Sequence, residues 1–370
     1  MTADETLLME FSQRIGRLPR YPIAGGYALP DDIALLASNE TPFGPMPQVL
    51  EAVQRATLSA HRYPDPSNAR LRAALAHRTG VSSNRIAIGN GSCDVLLAAG
   101  DALLEPGAEL VHAWPSFSVY PHLAAASGAA AITVPLDAQH HHDLAAMARE
   151  VTVATRMVIV CNPNNPTSTA LPAAEIAAFV ADLPRHVAVI LDEAYCEFNV
   201  LDDPDATLDL LDRHANLMLL RTFSKVYGLA GLRVGYGLCG SEELVRAIDQ
   251  VRQPFFCNVA AQAAAVEALR HQDAVAQRVE RTVVARVEVE EGLRALGLDP
   301  AESQANFAWF DLAPEPEEAI DREPDVVVGL RDRGVLVRAG SALGRPGALR
   351  VTYGTEAENA RFLDALRAVL

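Results

Sequence analysis

The side chains best suited to chemistry in this sequence share one stretch, Arg221 to Arg233 (RTFSKVYGLAGLR). The preceding run, Asn216 to Leu220 (NLMLL), reads as a buried strand, so Lys225 falls on the strand-to-loop exit where open α/β sheets place their ligands. Poor solvation there disfavours an ammonium ion, lowers its pKa and leaves an amine able to attack an aldehyde. Thr222, Ser224 and Arg233 add two hydroxyls and a guanidinium, a set suited to a dianionic phosphate. A nucleophilic amine beside a phosphate cradle fits pyridoxal 5′-phosphate.

A lone Ser-Lys pair after a strand is more often a surface feature, and two further segments change that reading. RMVIV (Arg156 to Val160) leads into CNPNNPT, and HVAVIL (His186 to Leu191) leads into DEAY. The three exits fall roughly thirty residues apart, the spacing of successive βα units in a doubly wound sheet, which puts all three motifs on one sheet edge.

These motifs carry a resemblance. An Asn-Pro ending (Asn165, Pro166), Asp192 to Tyr195, and Ser-Lys followed by an arginine eight residues on are similar to class I/II pyridoxal-phosphate aminotransferases. The chain more narrowly resembles the histidinol-phosphate aminotransferase branch: SNETPFGP, RYPDP, GNGS, WPSFSVY, CNPNNPT, DEAY and FSK-GLAGLR follow that branch's order over residues 35 to 355. The resemblance implies an α/β, fold-type I transferase. Its large domain (35–260) has a mainly parallel seven-stranded sheet, an N-terminal arm (1–34) precedes it, and a smaller α+β domain (261–370) follows.

It also implies roles. Lys225 holds the coenzyme, Asp192 pairs with its pyridine nitrogen, and Asn165 and Tyr195 hydrogen-bond its phenolic oxygen. Ser92, Cys93 and Asp94, at the start of a helix, stand with Thr222, Ser224 and Arg233 around the phosphate; the family usually has an acidic residue where this chain has Cys93. Phe117 is the ring-stacking position, with Tyr120 a second candidate. Tyr63 reaches the phosphate of the other subunit, so each active site needs a homodimer. Arg350 binds the substrate carboxylate and Arg338 a second anion, while Tyr21, Asn39 and Phe256 approach the substrate. Glu193 reads as structural. The family's Thr-Gly is here Thr167-Ser168, and a positive φ at that place would cost the serine about 1 kcal/mol.

The implied reaction is transamination between small amine and keto-acid substrates, histidinol phosphate and 2-oxoglutarate first. An aromatic amino acid donor is the alternative, given some weight by Phe255 and Phe256; a phospho-amino-acid decarboxylase is a more distant one. A non-catalytic coenzyme sensor is disfavoured, because the chain keeps Lys225 and has no basic helix-turn-helix before residue 35.

Composition narrows the partners. With 31 Lys plus Arg against 47 Asp plus Glu, the net charge of −16 repels nucleic acid and anionic membranes. Clustered arginines therefore mark local anion sites. The start of the sequence lacks the basic and apolar regions of a signal peptide. Five scattered cysteines without a CxxC read as reduced thiols of a cytoplasmic protein. His140, His141 and His142 are adjacent and would not converge on one ion, so they read as an exposed polar loop, and no metal is expected.

Among the remaining elements, Gln48 to Ala60 and Ala69 to Gly80 read as helices, the second stopped by Gly80. Ser92 is expected to cap a helix, and Ser241 another that runs to about Val251. Val259 to about Leu296 reads as one helical stretch and Ala313 to Pro324, acidic and proline-rich, as a surface loop. ANFAWFDL, GVLVRAG and ALRVTYG read as three strands before a closing helix.

Overall fold

The structure, a computed structural model, describes residues 11, 13–18 and 32–370; Tyr21 lies outside them. Twelve strands are named in chain order. β1 is Ala34–Leu35, β2 Ile86–Gly89, β3 Glu109–Trp114, β4 Ala130–Pro135, β5 Thr155–Cys161 and β6 Ala188–Asp192. β7 is Leu217–Thr222, β8 Gly235–Cys239, β9 Phe307–Asp311, β10 Val335–Leu336, β11 Arg338–Ala339 and β12 Ala348–Thr352.

Seven of them form one sheet in the order β2-β8-β7-β6-β5-β3-β4, parallel except for β8, which runs antiparallel to both neighbours. The apolar runs are continuous because both faces are buried. Val158, Val160, Val189, Leu191, Leu217 and Leu219 enter the core on one face. Their alternates Met157, Ile159, Ile190, Met218 and Leu220 enter the core on the other. Helices Ala69–Thr79 and Ala173–Asp182 cover the first face, and Ser92–Leu103 and Glu242–Val251 the second.

A three-stranded antiparallel sheet, β11-β12-β9, packs on helices Gln272–Ala295, Pro316–Asp332 and Glu356–Arg367 around a third core. β1 pairs in parallel with β10, and Ala34 and Leu36 bury themselves in that third core. Among the described residues no helix is long and apolar enough to cross a membrane.

Local signals behave as read at several points. Gly80 ends its helix at φ +75°, and the Ser241 hydroxyl accepts from the Leu244 amide. Ser168 does take a positive φ, 62°, while its amide donates to the Asn164 carbonyl at 2.8 Å. Others need correction. Gly91, at φ +82°, caps the helix that Ser92 begins. The stretch from Val259 is two helices, Val259–Ala268 and Gln272–Ala295. GVLVRAG divides between β10 and β11, which belong to different sheets. His142 is not on an exposed loop: it is buried, while Asp143 beside it caps the next helix.

The largest correction concerns residues 313–324. Most of this segment starts the helix Pro316–Asp332, with Pro316 in its first turn followed by Glu317 and Glu318, where an imide and negative charge suit the free N–H groups. Ala319, Glu323, Val326 and Leu330 face inward at helical spacing. The Glu323 carboxylate accepts from the backbone amides of Ser341 and Gly347. Pro324 lies inside this helix, exposed, where its ring removes one backbone donor. Pro324→Ala is therefore expected to stabilise the protein by about 1–3 kcal/mol, read as a higher urea midpoint with unchanged slope.

Candidate active site

The C-terminal ends of the parallel strands open into a cavity of about 580 Å³. Cys161, Asp192 and Thr222, the last residues of β5, β6 and β7, all line it. The turns that follow add Asn165, Tyr195, Ser224 and Lys225, and the start of the helix after β2 adds Ser92 and Cys93. Phe117 enters from the turn after β3, and Arg233 from the turn before β8. The opposite wall comes from residues 37–40 and from the three-stranded sheet, where Arg338 on β11 is the register partner of Arg350 on β12.

Asp192 is buried, and burial raises its carboxyl to about 6. Two neutral donors oppose that rise: the Tyr120 hydroxyl at 2.8 Å on one oxygen and the Ala194 amide at 3.2 Å on the other. Lys225 donates to the carbonyls of Ser38 at 3.2 Å and Asn39 at 3.0 Å. Loss of solvent, reinforced by the Arg350 charge, brings its amine down to about 7. A lysine half unprotonated near neutrality is a competent nucleophile and base.

The hydrogen-bond pattern leaves donors facing the cavity. Asn39 donates its side-chain amide to the Tyr195 oxygen at 3.0 Å, so the Tyr195 proton is available for another acceptor. Arg350 donates to the Asn165 carbonyl oxygen at 2.6 Å, which leaves the amide hydrogens of Asn165 for the same purpose. Arg350 is buried and also holds the Ala37 carbonyl at 2.6 Å on its own wall, so its bond to Asn165 joins the two walls.

At the other end the backbone is packed too closely for side chains. A Cβ on Gly91 would stand 2.4 Å from an Arg233 guanidinium nitrogen, and one on Gly235 would stand 2.2 Å from the Ser92 amide nitrogen. Arg233 itself sits at φ +61° and donates to the Ser224 hydroxyl at 3.4 Å and the Ala230 carbonyl at 3.0 Å. Helix-start amides, two hydroxyls and a guanidinium thus share one corner, a set that suits a phosphate. Cys93 is neutral there, burial pushing its thiol up to about 11.

Three of the named positions stand elsewhere in the single chain. Asp94 faces back on its own loop, accepting from the Asn90 amide at 2.9 Å. Tyr63 is 80% exposed and stacks on Phe255 at 4.5 Å. Phe256 lies under the Arg252 guanidinium, 4.5 Å from it, on a separate cavity with Phe255. Tyr120, read as a stacking candidate, is instead fully buried edge-on to Phe117 and bonded to Asp192. Its place three residues after Phe117, in the first turn of a helix, was the available signal.

Two titrations test this electrostatic description. In the cofactor-free protein, labelling of Lys225 by a small aldehyde and borohydride should reach half its maximum near pH 7, whereas an exposed lysine would need about pH 10. Tyr120→Phe removes a donor to the carboxylate, so the Asp192 midpoint, followed by carboxyl carbon NMR, should rise above about 6; an unmoved midpoint would show that this bond does not favour the ionised form.

Comparison with known proteins adds the family. Residues 31–366 match the model of aminotransferase class I and II. An aromatic amino acid aminotransferase of Thermobifida fusca is 44% identical over 90% of this chain and 89% of its own. A histidinol-phosphate aminotransferase of Akkermansia muciniphila is 40% identical, covering 92% and 91%. The crystal structure of histidinol-phosphate aminotransferase from Sinorhizobium meliloti in complex with pyridoxal-5′-phosphate superposes with a TM-score of 0.88 at 31% identity, over 97% of both chains. With its mainly parallel seven-stranded sheet and a lysine facing a buried carboxylate, the chain belongs to the class I and II aminotransferases and is a transaminase of fold-type I.

Proposed function

We propose that this transaminase works with pyridoxal 5′-phosphate and moves the amino group of histidinol phosphate to 2-oxoglutarate. The observation that carries the reading is the convergence, on one cavity, of Lys225, a buried Asp192, the free donors of Asn165 and Tyr195, and the Arg338–Arg350 pair. The residues fit the coenzyme. Its phosphate would lie in the corner of Ser92, Thr222, Ser224 and Arg233, and Phe117 would stack on its ring. Asp192, whose side-chain and backbone partners among the described residues are both neutral, would pair with the pyridine nitrogen. When bound, the coenzyme supplies an electron sink for negative charge at the substrate α-carbon.

The protein's own residues do the rest. Asp192 would hold the ring nitrogen in its protonated form, and Asn165 and Tyr195 would donate to the phenolic oxygen. Lys225 would hold the coenzyme and would serve both as the general base that takes the proton from the substrate α-carbon and as the acid that returns it. Arg350 takes a carboxylate in two-point fashion and Arg338 a second anion, so the two would receive the phosphate of the donor or the carboxylates of the keto acid in turn. Asn39 acts on Tyr195, and Cys93 leaves phosphate binding to the backbone.

A second reading is an aromatic amino acid donor, favoured by the Thermobifida fusca relative at 44% identity. We further propose a cytoplasmic homodimer in which the exposed Tyr63–Phe255 stack meets the partner subunit's site, with Phe256 close by and Tyr21 on the arm as a substrate contact. The division into an arm (1–34), a large domain (35–260) and a small domain (261–370) belongs to the same proposal.

The visible spectrum of the purified protein, before and after histidinol phosphate is added without a keto acid, tests the reading. Loss of the coenzyme's visible band on addition is the expected result. A band that yields only to phenylalanine or tyrosine would move the assignment to the second reading, and no band after reconstitution would overturn both. Lys225→Ala should lower turnover on the order of 10³-fold or more.

A further inference from the structure

Behind the cavity, on the opposite face of the sheet, lies a buried charge network that the chemistry above does not use. Strand alternation turns Asp192 and Thr222 toward the cavity and sends their neighbours Glu193 and Arg221 the other way. Arg221 and Glu193 are both 4% exposed. Arg221 donates through Nε to Glu193 at 2.7 Å, through Nη1 to Asp205 at 2.7 Å and through Nη2 to the Pro204 carbonyl at 2.6 Å. The second oxygen of Glu193 accepts from Thr207 at 2.5 Å, and that of Asp205 from Arg78 at 2.7 Å. Every carboxylate oxygen in the network is therefore occupied.

The network sits where the ladder between β6 and β7 stops. The β6–β7 ladder ends at Asp192 opposite Leu220, with one more bond from the Glu193 amide to the Leu220 carbonyl at 2.9 Å. Beyond it β6 ends, β7 continues through Arg221 and Thr222 against β8 alone, and the turns that follow carry Tyr195 and Lys225. A buried ion pair adds little net stability against well-packed apolar side chains, because desolvation offsets the attraction, but its forked geometry fixes distance and orientation.

We propose that Arg221 and Glu193 are positioning residues which lock the ends of β6 and β7 so that Asp192 and Thr222 meet the coenzyme at both its ring nitrogen and its phosphate. This rests on the pyridoxal-phosphate reading above. The Glu193 charge also bears on Asp192, favouring its protonated form, and Arg221 offsets that charge.

The test replaces the pair by apolar residues of similar size, Arg221→Met with Glu193→Leu, beside the single variant Glu193→Gln and the control Arg85→Met. Arg85 also bridges elements by an ion pair, to Asp212 at 2.7 Å, and holds the carbonyls of Cys239 and Leu211, away from the cavity. The apolar pair also takes one cation from Asp205 and a partner from Thr207 and the Pro204 carbonyl, so, as in the Arg85→Met control, the thermal midpoint of the cofactor-free protein should fall. Its affinity for pyridoxal phosphate, by fluorescence titration, should fall on the order of 10- to 100-fold. The pH midpoint of the bound coenzyme's visible band should move, and kcat should fall with KM little changed. Arg85→Met should lower the thermal midpoint and leave affinity and band alone.

Unchanged affinity and an unmoved band midpoint in the apolar pair would overturn the proposal. Should that variant not fold, Glu193→Gln decides by the same two readouts. A wild-type protein that binds no pyridoxal phosphate would overturn the functional reading itself, a result distinct from a normal band in every variant.

Discussion

Burial of charge at the C-terminal edge of the large sheet governs what this site can do. Asp192 is buried and Lys225 largely desolvated at the cavity wall, one rising to about 6 and the other falling to about 7. In solution the carboxyl would be fully ionised and the amine fully protonated at neutral pH. Here an acid and a base of opposite type are brought into the same range, the condition under which one can hold a charge and the other can take up and release a proton. Neither shift needs an unusual partner; loss of solvent is the first cause of both.

The rest of the cavity serves to keep that burial ordered. Its two walls come from segments far apart in the chain, and a few bonds within and between them set the geometry. Arg350 grips Asn165 and the Ala37 carbonyl, the Asn39 amide donates to the Thr352 hydroxyl at 2.9 Å, and the Asn39 side chain reaches Tyr195. The residues proposed for substrate and coenzyme are thus already tied to one another. Pre-set donors of this kind need little rearrangement during reaction. At the corner of Ser92, Ser224 and Arg233 the same economy appears as close packing, where glycine at 91 and 235 lets backbone and guanidinium approach.

Much of this was legible in the residues. A parallel strand buried on both faces is a short unbroken apolar run, so β5, β6 and β7 announced themselves, and their exits put Asn165, Asp192 and Lys225 on one edge. The positive φ of Ser168 and the stop at Gly80 followed from local backbone sterics. Other features were misread for physical reasons. Helix Pro316–Asp332 looked like a loop because Pro324 and the acidic run outweigh, in a linear reading, an inward face that becomes apolar surroundings only when the three-stranded sheet lies beneath it. His142 looked exposed among its polar neighbours, yet the fold buries it.

By itself, then, the sequence determined which polar side chains gather at one sheet edge and which strand ends they leave from, because apolar period, turn residues and chain spacing are properties of neighbours along the chain. Only the tertiary structure decided what faces those side chains. It made Tyr120 the partner of Asp192, Asn39 that of Tyr195, and the Arg221–Glu193 pair the tie behind both strand ends. It also turned Phe256 toward Arg252 and away from this chain's own cavity. Such contacts join residues 28 to 156 positions apart, and the distances that give them their energy exist only once the sheet, its flanking helices and the second sheet are packed together.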